Sequence, residues 1–239
     1  MVGMNTQRLL SWGCVLILAS SWALPAMAAL TPAEQQQQRF LIEQMVTNKN
    51  PYDRAKAARE LGLLMDSKAL TRLHDSLLND TSTQVRISCA NAIARINNKA
   101  SVKRLLAALP INRGRTDAQL AIIRALGDMK ENSRDQVPVI VRFLRSPNPF
   151  VREATIDALW KIRDYSVSKY LVRLLKIETE TTVKLTLVRV IPDFKDGNAI
   201  PVLKEVLKRK EENADVKALA EDALIKFEEM GVTAPIAAK

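Results

Sequence analysis

One helical phrase recurs six times along this chain, at steps of 32 or 33 residues. The copies read Asp53-Arg54…Leu61-Gly62, Val85-Arg86…Ile93-Ala94, Ala118-Gln119…Leu126-Gly127, Val151-Arg152…Leu159-Trp160, Val183-Lys184…Ile191-Pro192 and Val216-Lys217…Leu224-Ile225. A fixed period in this range is the signature of a solenoid, whose units bury their apolar faces against one another. β-Branched residues do not alternate over long runs, and the chain has only seven glycines. The reading is therefore all-α: an alpha-alpha superhelix of about five and a half helix pairs.

Each unit divides into two helices. The first carries the phrase, with apolar or small residues at helical spacing: Ala57, Ala58 and Leu61; Val85, Cys89, Ala92 and Ile93; Ile122, Ala125 and Leu126. Asn50-Pro51 and Asn148-Pro149 stand at matching offsets before it, and Ser82 and Asn213 occupy the same cap column. A side-chain oxygen there satisfies orphan amides of the first turn. The second helices follow a short loop and carry Leu70, Leu73 and Leu77; Val102, Leu105 and Leu109; Val139, Ile140 and Leu144; Leu171, Leu174 and Leu175; Val202, Leu203 and Val206. The third unit has extra loop residues around Glu131 to Arg134.

Both ends of the stack need shielding. Thr31-Pro32-Ala33-Glu34 offers a threonine N-cap, proline at N1 and glutamate at N3. Residues 29–49 are read as an N-terminal cap with its helix over 32–47. Residues 50–230 form the repeats. The acidic last phrase helix closes the stack, and 231–239 is expected to be a disordered tail.

The first 28 residues read as a signal peptide. Arg8 is the lone charge, an apolar stretch runs from Leu9 to Leu24, and Pro25 precedes Ala26-Met27-Ala28, with cleavage expected before Ala29. An uncleaved anchor is the alternative. Cleavage leaves no transmembrane span, a periplasmic or secreted chain, and Cys89 as the single cysteine, read as a small buried apolar residue. The leader holds one charge, so nearly all of the +10 excess stays with the mature protein.

The phrase Val85-Arg86-Ile87-Ser88-Cys89-Ala90-Asn91-Ala92-Ile93-Ala94 resembles the HEAT-like repeat of phycobilin lyases. Ala121-Ile122-Ile123-Arg124-Ala125-Leu126-Gly127 and Phe150-Val151-Arg152 match other parts of it. The resemblance covers about residues 48–230 and implies a fold rather than an activity, because one fold hosts many functions. It also implies that the basic column Arg54, Arg86, Arg152, Lys184 and Lys217 is structural, pairing with acids or carbonyls near the turns. Gln119 interrupts that column.

Catalytic chemistry has little to draw on. His74 and Cys89 are too few for the usual zinc sites. No nucleophile elbow supports a triad through His74, and no glycine-rich phosphate loop appears. HEAT-like iron hydroxylases need several His-Glu pairs that this chain lacks. The reading is a non-enzyme without cofactor or metal.

Charge is more informative. The second-helix segments 67–79, 98–109, 132–145, 166–176 and 198–210 more than account for the net basic excess. The resemblance implies that they line a concave face, which would then be a basic groove that recruits anions. The candidate partner-binding residues are Lys103, Arg104, Arg142, Arg145, Lys169, Arg173, Lys176, Lys204 and Lys208, with Trp160 and Tyr170 as aromatic anchors. The function expected is an exported protein-protein interaction scaffold that binds an acidic partner. The alternatives are an anionic envelope polymer, nucleic acid, against which the leader argues, and a bilin lyase-like activity suggested by the repeat alone.

Overall fold

The computed structural model describes residues 30–235; the expected signal peptide lies outside them. All of the regular structure among these residues is helical. The chain enters through α1 (Pro32–Thr47), α2 (Pro51–Leu64), α3 (Leu70–Asn79), α4 (Thr83–Ile96), α5 (Ala100–Ile111) and α6 (Thr116–Asp128). It continues through α7 (Val137–Ile140), α8 (Pro149–Ile162), α9 (Ser168–Ile177), α10 (Thr181–Val190), α11 (Ala199–Lys208) and α12 (Ala214–Glu229). The phrase forms α2, α4, α6, α8, α10 and α12.

The helix starts follow their side chains. Thr31 and Glu34 close a reciprocal capping box at α1. Asn50, Asn148 and Asn213 each accept an amide of the helix they open, from Tyr52 at 3.0 Å, Phe150 at 3.0 Å and Asp215 at 2.9 Å. Ser82 makes no such bond; its own amide is held by Asp80 at 2.8 Å.

The helix ends repeat as faithfully. Met65, Asn97, Lys130, Arg163 and Lys195 all have φ between 44° and 55°, and they recur at the step of the phrase. These are left-handed residues that reverse the chain after each of the first five phrase helices. None is the glycine that usually takes this conformation.

One continuous core threads the units. Leu61, Ile93, Leu126, Leu159 and Ile191 are fully buried at the repeat step, and Leu73, Leu105, Leu171 and Leu203 face them from the second helices. Cys89 belongs to this core, and burial pushes its thiol pKa up. The third unit departs from the pattern. Its second helix is a 3₁₀ run over Lys130–Gln136, the single turn α7, then a further 3₁₀ run over Val141–Arg145. The extra loop residues are wound into this tighter helix, and Pro138 cannot donate an amide within it.

The two layers are unequal. Phrase helices pack directly on one another through small residues. A β-carbon built on Gly62 would lie 2.7 Å from the Cα of Ala92, and one on Gly127 would lie 2.7 Å from the Cα of Ala158. The second helices meet one another far less, and a cleft opens between those of units three and four. A stack whose rungs are closer on one side bends towards that side. The phrase helices therefore line the inner face and the second helices the outer one, which corrects the expected concave position of the basic layer.

At the C-terminal end Val232 packs against the core and donates its amide to Phe227 at 2.9 Å. The carbonyl of Thr233 lies where a side chain on Gly197 would stand. The expected disordered tail thus begins with residues that rest on the last unit.

Candidate binding surface

The basic column is a set of internal clasps. The Arg54 guanidinium donates through Nε and Nη2 to the two oxygens of Asp80, both at 2.8 Å, and through Nη1 to the carbonyl of Asn48 at 3.0 Å. Arg152 repeats this with Glu178, at 2.8 and 2.6 Å, and with the carbonyl of Ser146 at 2.9 Å. Lys184 pairs with Glu212 at 2.7 Å. Arg86 donates to the side-chain oxygen of Asn112 at 2.9 Å and to the carbonyl of Asp80 at 2.7 Å. Each clasp ties the start of a phrase helix to the segment that leads into the next unit.

These pairs are shielded from water, and the Glu178 side chain is only 2% exposed. Burial works to raise its carboxyl pKa. The Arg152 hydrogen bond and the amides of Glu180 and Thr179 outweigh burial and hold the group below the usual range. The same balance holds Asp80 low beside Arg54, and Glu212 low beside Lys184. The column is structural, and it is satisfied within the chain.

The candidate basic residues behave differently. Lys103, Arg104, Arg142, Arg145, Lys169, Arg173, Lys176, Lys204 and Lys208 are all exposed. None has an ion-pair partner among the described residues. Lys103 and Arg104 lie on α5, Arg142 and Arg145 on the 3₁₀ run after α7, Lys169, Arg173 and Lys176 on α9, and Lys204 and Lys208 on α11. All belong to the outer layer. A cleft of about 490 Å³ between units three and four gathers Arg142, Arg145, Arg173 and Tyr170 around Leu174 and Ile177. The Lys169 ammonium stands 5.2 Å from the Tyr170 ring centre.

Trp160 does not join them. Its indole N–H donates to Asp193 at 2.7 Å, and the Arg189 guanidinium lies 5.8 Å from its ring centre. Arg189 is in turn held by Asp157 at 2.8 Å, and Lys161 by Asp128 at 2.6 Å. Trp160 is thus part of a cross-unit network on the phrase-helix layer. This corrects its assignment as an anchor for the basic surface: the bulky side chain links units four and five.

Sequence reasoning missed Arg113. It lies in the loop after α5, outside the second-helix segments, yet it lines a second cleft of about 490 Å³ with Arg142 and Arg145. The run Asn112-Arg113-Gly114-Arg115 was the available signal. Among the described residues no His, Cys, Asp and Glu side chains gather as a metal site requires. No described helix is long and apolar enough to cross a membrane.

A helical solenoid held by internal clasps, with a set of unpaired cations on its second-helix layer, has the form of a repeat-built scaffold. The sequence matches the family described as HEAT repeats over residues 39–118 and 111–191, and the chain belongs to that family. No curated protein matches it. Among solved structures it is similar to the complex of CpcE and CpcF of phycocyanin lyase from Nostoc sp. PCC7120. That likeness has 19% identity and a TM-score of 0.44 over 80% of this chain and 82% of the other. It is also similar to human deoxyhypusine hydroxylase, with 14% identity and a TM-score of 0.38 over 85% and 92% of the two chains.

Proposed function

We propose that the protein is an exported, non-catalytic interaction scaffold that binds an acidic protein partner on its basic second-helix face. The observation that carries this reading is the contrast between two sets of cations. Those in the phrase column are paired and shielded. The candidate cations of the outer layer, from Lys103 to Lys208, are exposed and have no acid partner among the described residues. Unpaired like charges on one face repel each other, and an acidic surface laid over them relieves that repulsion while speeding encounter. The leader supports export. A HEAT-repeat fold supports a role in protein binding.

The test is capture of envelope proteins by the mature chain at low and high salt, beside the charge-reversed variant K103E/R104E/K169E/K204E. The expected outcome is an acidic partner retained at low salt, released at high salt, and lost on charge reversal. Capture that ignores both salt and charge reversal overturns the basic-face reading. Capture of nucleic acid in place of protein overturns the choice of partner.

A further inference from the structure

The series of clasps has one gap. In units one and four the carboxylates of Asp80 and Glu178 receive the column guanidinium and also accept following amides, from Ser82 at 2.8 Å and from Thr179 and Glu180 at 3.0 Å each. In unit three the column residue is Gln119, and the position matching Asp80 and Glu178 is Ser146, which ends the second helix, accepts the amide of Asn148 at 3.2 Å and gives its carbonyl to Arg152. Gln119 turns away to donate to the carbonyl of Leu109 at 3.1 Å. The internal carboxylate is therefore missing: a short hydroxyl stands at its position, and Arg145 comes just before it. The space is a cleft of about 490 Å³ lined by Arg113, Arg142, Arg145, Gln119, Ser146 and Asn148. None of the three arginines has an acid partner or a side-chain hydrogen bond among the described residues.

We propose that this cleft is a carboxylate-binding site, which takes an Asp or Glu side chain of the acidic partner. The proposal rests on the acidic-partner reading and gives it a location. The incoming carboxylate occupies the place that units one and four fill with their own Asp80 and Glu178. Guanidinium groups suit it because their fixed fork matches a carboxylate in two parallel hydrogen bonds. Three of them around one cleft add attraction without a competing internal anion. Ser146 and Asn148 supply a polar edge at the start of α8.

The variant Q119R/S146E tests this by rebuilding the clasp, so that the chain's own carboxylate fills the site. The probe is a hexaglutamate peptide, titrated calorimetrically into the full chain at low ionic strength. The wild type is expected to bind, and Q119R/S146E to bind about tenfold more weakly or worse, the scale of losing charge-assisted hydrogen bonds. The single variant R145Q, which leaves the fold's own bonds untouched, is expected to weaken binding about fivefold or more on the same scale. The distant variant K208E removes more positive charge than either of these and is expected to cost less than either. Retention of wild-type affinity by Q119R/S146E and R145Q overturns the site while leaving the acidic-partner reading standing. A wild type that binds no peptide at all overturns both. Inorganic phosphate that displaces the peptide at equal concentration overturns the carboxylate assignment.

Discussion

His74, the only histidine, is nearly closed off on α3, and its Nε2 finds no hydrogen-bond partner. Burial, aided by the charge of Arg104, lowers its pKa to about 4, against the opposing influence of Asp75. The folded state therefore holds this ring neutral while the unfolded chain protonates it below its ordinary value near 6.5. Because the folded pKa is depressed, the unfolded state binds more protons between those values, and stability falls as pH falls through that window. From pH 7 to pH 5 the wild type should lose about 2 kcal/mol through this group. His74→Leu should remove most of that slope, as read by urea denaturation at the two pH values. An unchanged slope would mean that the ring titrates freely in the fold. The clasp carboxylates Asp80, Glu178 and Glu212 act in the same direction at lower pH, since their folded pKa values are depressed as well.

At the scale of the helix, the closeness of the phrase layer decides what a substitution does. Gly127 is inside α6, where alanine is ordinarily better by about 1 kcal/mol. Its missing β-carbon is where the backbone of Ala158 passes, at 2.7 Å from the ideal position. Overpacking of this kind costs about 1–3 kcal/mol, so Gly127→Ala should lower stability by about 1 kcal/mol net, measured by chemical denaturation. A gain in stability would show that α6 and α8 can part without loss. The phase of the repeat, the caps at Thr31, Asn50, Asn148 and Asn213 and the structural role of the column were legible because each follows from a residue and its near neighbours. Which layer is inner was not, because curvature comes from the sum of many small-residue contacts across units. Trp160 was misplaced for a related reason: its partners Asp193 and Arg189 lie in the next unit. The 3₁₀ winding of the third second helix had only Pro138 and a longer loop as its local trace.

Over the whole molecule the units are alike in construction and unlike in surface. The inner layer is bound up in close contacts and cross-unit pairs, while the outer layer carries the nine exposed candidate cations that lack an acid partner among the described residues. The charge of Arg104 helps to hold His74 neutral and also belongs to the candidate surface, so reversal at that position should be read with a stability measurement beside it. The left-handed residues that end the phrase helices have a consequence for the length of the molecule. Since Met65 and Asn97 bring the backbone to the same turn, the segment between them is a removable module. Excision of residues 66–97 would join two equivalent points, set α2 against α6, and offer Arg54 the Asn112 oxygen that Arg86 now uses. The shortened chain is expected to remain helical by circular dichroism and to unfold cooperatively at a lower temperature, as nearest-neighbour stacking requires. It would lose both His74 and Cys89, and would keep the arginine cleft of unit three intact on a shorter stack.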